Sequence, residues 1–176
     1  MIETEQTVVI DAAIGDVWTY ARDMQRWASI MPGYQECRII DDDDSLWVLK
    51  IGVGGLVRTV RVKVHVSEWA GPEKVDFTFD LEGDPVNGGG AYRARALSPG
   101  QTEVALTVQV NGSGPMAPMW EAMGGPVLPK FARGFAEQLK AMIEQAFTPD
   151  GAVPTPVAAK PSLISRLLAW LRRLFG

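Results

Sequence analysis

The sequence predicts an α+β fold in which a curved antiparallel sheet wraps around one long C-terminal helix. Apolar and polar residues alternate with a period of two in several stretches, which is typical of strands with one buried face. Short turn sequences rich in Gly, Pro and Asp separate these stretches, which favours antiparallel neighbours. One long helical segment, roughly 115–147, follows them and is predicted to cover the apolar face of the sheet.

The first segment, "TVVIDAAIGDVWTYARDMQRWASIMPGY", predicts a short strand followed by two short helical stretches. Asp11 is the expected cap of the first helix, ahead of Val17, Trp18 and Tyr20. Pro32 and Gly33 predict a turn that ends the helical region before the next strand.

Three stretches show the strand alternation most clearly: "VRVKVHVSE", "VDFTFDLE" and "TEVALTVQV". Their apolar positions are Val60, Val62, Val64 and Val66, then Val75, Phe77, Phe79 and Leu81, and finally Val104, Leu106, Val108 and Val110. The sequences "DDDDS", "GVGG", "AGPEK", "DPVNGGG" and "SPGQ" predict the turns between strands. Consecutive strands joined in this way predict a meander with one apolar face.

The second half of the long helical segment carries an amphipathic stripe, and the first half does not. The stripe consists of Phe131, Phe135, Leu139, Met142 and Ala146. The first half, "GPMAPMWEAMGGPVLP", contains a Gly-Gly-Pro sequence and a further proline, which predict a kink or a break in the helix.

The chain after this helix divides into two further parts. Residues 148–161 contain four prolines and predict an extended, semi-stiff linker. Residues 162–176 predict an amphipathic helix capped by Ser162, about 20 Å long and so too short to span a bilayer. We expect it to lie on an anionic membrane surface or, alternatively, to pack on the body or a partner. Its membrane-binding residues are predicted to be Leu163, Ile164, Arg166, Leu167, Leu168, Trp170, Leu171, Arg172, Arg173, Leu174 and Phe175.

Charge is distributed unevenly between the predicted domain, residues 1–147, and the tail. The domain carries 13 Lys and Arg against 20 Asp and Glu, or −7, whereas residues 148–176 carry 4 against 1, or +3. An acidic body argues against nucleic acid as a partner. The beginning of the chain lacks a signal-peptide pattern, so we expect a cytoplasmic protein, peripheral on the inner face of the cell membrane.

The order of elements resembles the helix-grip superfamily, which includes START lipid-transfer domains, birch-pollen-type allergens and polyketide cyclases. Over about residues 1–147 the chain is most similar to the CoxG-like family, whose members accompany carbon monoxide dehydrogenase. The residues that carry this resemblance are "IDAAIGDVWTYARD", the Met31-Pro32-Gly33 turn and "LKIGVGGLVRTVRVKVHV". The resemblance implies a hollow domain that holds a hydrophobic ligand between sheet and helix. It also implies a molybdenum carbon monoxide dehydrogenase as partner, with a respiratory quinone such as menaquinone as cargo.

Several residue types favour a cavity, although a packed core with small residues and methionine as filler is the alternative. Alanines alternate with Tyr92 in "GGGAYRARA", glycines cluster at 52–55, and methionines cluster early in the last helix. The predicted cavity residues are Ile51, Val53, Val62, Val64, Phe77, Phe79, Tyr92, Ala94, Met116, Met119, Trp120, Met123, Val127 and Phe131. The predicted hinge and opening residues are Pro32, Gly33, Gly54, Gly55, Gly124 and Gly125, and the glycines at 88–90 are expected to form a further mobile turn.

The sequence nominates no catalytic residue, no metal site and no covalently bound cofactor. His65 falls on the polar face of its strand, and Cys37 has no histidine near it in sequence. The run "DDDD" is typical of a solvated turn, and "NGGGAY" lacks the lysine of a phosphate-binding loop. We therefore expect a carrier of a lipophilic ligand and not an enzyme. The alternatives are a cyclase-like or lipid-processing enzyme, and a ligand-free adaptor that recruits a dehydrogenase to the membrane.

Overall fold

A computed structural model describes residues 1–53, 55–115 and 117–147, apart from the side chains of Val53, Leu56 and Met123. The predicted linker at 148–161 and the predicted amphipathic helix at 162–176 lie outside the described residues, as do Gly54 and Met116.

The described chain forms seven strands and three helices in the predicted order. They are β1 (Ile2–Ile10), α1 (Ile14–Ala21), α2 (Met24–Ser29), β2 (Tyr34–Ile39), β3 (Asp44–Val53), β4 (Leu56–Ala70), β5 (Lys74–Leu81), β6 (Val86–Ser98), β7 (Gln101–Gly112) and α3 (Ala117–Phe147).

The strands form one antiparallel sheet in the order β1-β7-β6-β5-β4-β3-β2, which confirms the predicted α+β fold. The sheet curves around α3, as in the helix-grip fold. Because β1 pairs with β7, the two ends of the described strands meet, and Ile2 lies opposite Val110. The alternation in β4 has the predicted sense: Val60, Val62 and Val64 are buried toward the helix.

The start of α1 differs from the prediction. Ala13 is the N-cap and makes no side-chain hydrogen bond, whereas the Asp11 carboxylate accepts one from the Gln101 side chain at 3.0 Å. Asp23 caps α2, where its Oδ1 accepts a hydrogen bond from the backbone N–H of Arg26 at 3.2 Å. The prediction of Asp11 as a cap was wrong because its carboxylate bonds to the β7 end of the sheet.

The last helix runs without interruption from Ala117 to Phe147, so the predicted break was wrong. Pro126 and Pro129 remove only the two hydrogen bonds that their missing N–H groups would donate to the preceding turn. The helix also lies against β1 at this level, since a Cβ atom at Gly124 would be 2.9 Å from the Ile2 side chain. This packing supports a straight path through the Gly-Gly-Pro sequence.

Replacing Gly125 with alanine should raise the free energy of unfolding by about 0.5–1 kcal/mol, because alanine loses less backbone entropy in a helix. No atom lies within 4 Å of a Cβ placed at this position. Urea unfolding followed by circular dichroism measures the change. Gly55→Ala is the control that should destabilise, because Gly55 has a φ of +85° and equally open surroundings. Unchanged or lower stability of Gly125→Ala would show that the helix does not hold here.

The filled part of the core lies where α1, α2 and the second half of α3 meet the sheet. Ile10, Val17, Tyr92, Leu139 and Ile143 are fully buried there. Within the described ranges, no helix is long and apolar enough to cross a bilayer.

Candidate functional site

A cavity of about 270 Å³ lies between the sheet and the first half of α3. Every strand except β2 contributes to its wall, together with α2, the turn after it and α3. The lining residues are Ile2, Trp27, Met31, Trp47, Leu49, Ile51, Val62, Val64, Phe77, Phe79, Leu81, Val86, Leu106, Thr107, Val108, Val110, Gly112, Trp120, Glu121, Gly124, Val127, Leu128, Phe131, Ala132 and Phe135.

Glycines in β6 shape the wall of the cavity opposite α3. Gly88 pairs with Phe79 and Gly90 pairs with Phe77 across the β5–β6 ladder. A Cβ atom at Gly88 or Gly90 would lie 2.5 Å from the ring of its phenylalanine partner. The two rings therefore lie over bare backbone, which leaves space beside them. The expectation of a mobile turn at 88–90 was wrong, since these residues form the middle of a strand.

The cavity has a closed end and an open mouth along the axis of α3. The wall near Ala132 and Phe135 is buried, as are Trp27 and Leu106 on the facing elements. In contrast, the lining residues of the first half of α3 and of the strand ends facing it are partly exposed: Ile2, Ile51, Trp120, Glu121, Gly124, Val127 and Leu128. The mouth therefore lies beside the N-terminal half of α3.

The wall offers few polar groups to a ligand. The indole N–H of Trp27 donates to the carbonyl of Ala21, and that of Trp47 donates to Ser45 Oγ at 2.8 Å. Among the described lining residues, only Thr107 and Glu121 carry other polar side chains, and Glu121 lies at the mouth. A ligand would therefore be held inside by apolar burial and aromatic contact.

Eight of the predicted cavity residues line this cavity: Ile51, Val62, Val64, Phe77, Phe79, Trp120, Val127 and Phe131. Gly124, predicted as a hinge, lines it too. Met116 lies outside the described residues, and the side chains of Val53 and Met123 are not described.

Three predicted cavity residues lie elsewhere. Tyr92 and Ala94 belong to the filled core, where the Tyr92 ring packs edge-on against Trp27 with centroids 5.9 Å apart. Met119 is 41% exposed and does not line the cavity. The sequence pattern placed Tyr92 and Ala94 on the inward face correctly, but the inward face of β6 extends beyond the cavity into the core.

The predicted hinge residues have varied surroundings. Gly33 has a φ of +80°, and its carbonyl accepts a hydrogen bond from the backbone N–H of Lys50 at 2.7 Å. A Cβ atom there would lie 2.0 Å from the Lys50 carbonyl oxygen, so the Pro32-Gly33 turn is fixed tightly against β3. Gly55 lies in the open turn between β3 and β4, and Gly124 and Gly125 lie within the continuous α3.

Sequence reasoning missed much of the closed end. Trp47 and Leu49 share the alternation of Ile51 along β3, so extending that pattern would have found them. Ala132 and Phe135 lie on the stripe side of α3. Ile2 reaches the cavity only because β1 pairs with β7, and no local signal indicates that pairing.

The Tyr92 hydroxyl is a buried polar atom that makes no hydrogen bond to the described residues. Burial raises the pKa of this phenol far above its ordinary value. The group therefore stays neutral, and its lost hydration opposes folding.

Tyr92→Phe should leave the fold intact and raise the free energy of unfolding by about 1 kcal/mol, because it removes a buried group without a partner among the described residues. Thermal and urea unfolding of both proteins measure the difference. Tyr20→Phe is a matched control near the α1 end, where the tyrosine is close to Arg26. A loss of more than about 1 kcal/mol in Tyr92→Phe would reveal a partner for the hydroxyl.

The remaining chemically reactive candidates lie outside the cavity. His65 is half-exposed on the polar face of β4, with its Nδ1 3.0 Å from Asp44 Oδ1. Burial raises the pKa of the Cys37 thiol, which disfavours the reactive thiolate. Asp41 Oδ1 accepts hydrogen bonds from the backbone N–H groups of Asp43 and Asp44, so the acidic run forms a turn. Among the described residues, no group of acidic, His or Cys side chains is arranged to hold a metal ion.

Comparison with known proteins supports this description. Residues 1–144 match the family described as polyketide cyclase/dehydrase and lipid transport. A search of curated proteins found no match.

Solved structures share the fold at low sequence identity. A conserved protein from Geobacillus kaustophilus superimposes with a TM-score of 0.72 at 18% identity, covering 82% of this chain and 97% of that one. A START superfamily protein from Mycobacterium smegmatis gives 0.64 at 15%, covering 82% and 98%. The Zhui aromatase/cyclase from Streptomyces sp. R1128 gives 0.61 at 18%, covering 86% and 98%. At these identities the similarity shows the START-like, helix-grip fold alone.

Proposed function

The chain belongs to the polyketide cyclase/dehydrase and lipid transport family, and from that premise we propose that it is a carrier of a lipophilic ligand. The ligand occupies the cavity between the sheet and α3, and enters by the mouth beside the N-terminal half of that helix.

The observation that carries this proposal is the apolar wall, in which the indole N–H groups of Trp27 and Trp47 already have partners within the protein. A cyclase needs an acid or a base within reach of its substrate. The described wall offers only Thr107 and Glu121 for such work, and Glu121 lies 2.5 Å from the amino group of Met1. Binding and release of an apolar molecule require no such groups, so carriage fits this wall better than catalysis.

The proposed cargo is a respiratory quinone, most simply menaquinone, and the proposed partner is a carbon monoxide dehydrogenase of the molybdenum type. Both extend the resemblance to the CoxG-like family described above. The cavity supports the cargo by its aromatic content, since Trp27, Trp47, Phe77, Phe79 and Phe131 offer ring surfaces to a flat bicyclic head.

We also propose that residues 162–176 bind the anionic inner surface of the cell membrane and keep the domain near its ligand. The tail has a net positive charge whereas the domain is acidic, so only the tail is attracted to anionic lipid. A carrier that works this way takes a membrane-dissolved molecule and presents it to a soluble enzyme.

The experiment is to purify the full chain without detergent from a host that makes menaquinone, and to analyse an organic extract by mass spectrometry. We expect a lipophile in near-equimolar amount, with a prenylated naphthoquinone prominent. Added naphthoquinone should also quench tryptophan fluorescence, because three tryptophans line the cavity. An empty extract together with absent quenching would contradict carriage, and a chemically altered product would favour the enzyme alternative.

A further inference from the structure

Arg58 is a charged residue on the cavity side of the sheet. It lies directly opposite Ile51, which lines the cavity, and it has the same parity in β4 as the buried Val60 and Val62. Directly opposed residues of an antiparallel pair project from the same face. Arg58 therefore continues the inward row of β4 to the level of the mouth.

Contacts with the mouth fix the position of this guanidinium. Its central carbon lies 6.0 Å from the ring centroid of Trp120, which lines the cavity. Its Nη2 donates to Asp84 Oδ2 at 2.7 Å. The Asp84 side chain is only 11% exposed whereas that of Arg58 is 55% exposed, so the carboxylate anchors a cation that the solvent side of the mouth can still reach.

The guanidinium keeps donors to offer. Arginine has five N–H donors in a planar fork, and Asp84 is its one carboxylate partner among the described residues. An amphiphile whose apolar body fills the cavity leaves its polar end at the mouth, beside these donors. The inner wall cannot recognise that end, because its indole N–H groups at Trp27 and Trp47 are occupied.

We propose that Arg58 binds the hydrogen-bond-accepting oxygens of the ligand's polar head and so determines which lipophiles the cavity accepts. This inference rests on the proposed function, since it assigns the head-group subsite of the same cavity. The head chemistry is an acceptor oxygen, supplied either by a quinone carbonyl or by a carboxylate. Trp120 and Asp84 act as positioning residues that hold the guanidinium at the mouth.

The test compares the full-length protein with Arg58→Met, Arg58→Lys and the control Arg61→Met. Arg61 lies on the same strand but is paired with Glu82 at 2.8 Å on the polar face. The probes are a prenylated naphthoquinone and the corresponding prenylated naphthalene, which lacks the carbonyl oxygens. Oleic acid and its methyl ester form a second pair. Quinone affinity is measured by tryptophan quenching, and the affinities of the other probes by competition.

We expect Arg58→Met to lose about tenfold or more in affinity for the quinone or for oleic acid, whichever the wild type prefers over its matched control, and to bind the control unchanged. Arg58→Lys should recover part of the loss, and Arg61→Met should behave as wild type. Which pair shows the preference identifies the carbonyl or the carboxylate as the source.

Two other results would overturn the proposal. Equal losses for matched probes, or none, would make Arg58 a structural link between turns while leaving carriage intact. Failure of the wild type to bind any probe would instead remove the proposed function and this inference with it. Circular dichroism of each variant verifies folding before titration, and Arg58→Lys keeps the charge if Arg58→Met does not fold.

Discussion

Ala132→Phe should abolish ligand uptake while the domain remains folded. Ala132 is 7% exposed and lines the closed end of the cavity, opposite the sheet. A phenylalanine there extends into space that is empty, so it occupies the volume a ligand needs without compressing its neighbours. We expect the affinity for a prenylated naphthoquinone to fall by about a hundredfold or more. Tryptophan quenching and mass spectrometry of an organic extract measure the loss.

Ala136→Phe is the matched control, one helical turn further along α3. Ala136 is 1% exposed and does not line the cavity. The same change there should overpack the core and lower the free energy of unfolding by about 1–3 kcal/mol. If Ala132→Phe retains ligand at wild-type level while folded, the cavity is not the binding site. If it destabilises as much as Ala136→Phe, the space at Ala132 is already filled.

A chain that ends at Pro161 should keep its fold and its cavity but lose binding to liposomes. The amphipathic pattern of residues 162–176 predicts that burial of the Leu, Ile, Trp and Phe side chains supplies most of the membrane affinity, at about 25 cal/mol per Å² of apolar area. Each arginine adds about 1 kcal/mol near an anionic surface. Flotation with anionic vesicles should recover the full chain in the lipid fraction and the shortened chain in the aqueous one.

Charge reversal separates the two contributions of the tail. Replacing Arg166, Arg172 and Arg173 with Glu should weaken binding to anionic vesicles much more than binding to neutral ones. A shortened chain that still floats with vesicles would assign membrane binding to the domain. One that unfolds would show that residues 162–176 pack against it.

The fold could be predicted because its signals are local and repeated. Each strand of the meander indicates its inward face by alternation, as Val60, Val62 and Val64 show. The one long helix follows from its stripe. The uninterrupted course of α3 could not be predicted, since Pro126 and Pro129 are unfavourable in a helix judged alone. Tertiary packing against β1 is the contribution that local propensity omits.

The cavity could be predicted in part, because facing inward and lining a space are different properties. Alternation places Tyr92 inward, but only the three-dimensional position of α1 and α2 decides that its ring is enclosed in the core. The glycines of β6 were interpreted as a turn, although their role is to give room to Phe77 and Phe79 on the next strand. Such a role depends on cross-strand register, which composition does not encode.

The direction of α3 limits how the domain can meet a membrane. Trp120 stands at the mouth, and the chain leaves the helix at Phe147, about 40 Å away at 1.5 Å per residue. The fourteen residues from 148 to 161 span at most about 46–50 Å in any conformation. If the tail lies on the bilayer that the mouth faces, this tether must run back along nearly the whole helix with little slack. Its length then acts as a ruler, and the domain visits the lipid in an upright pose that points its opening downward.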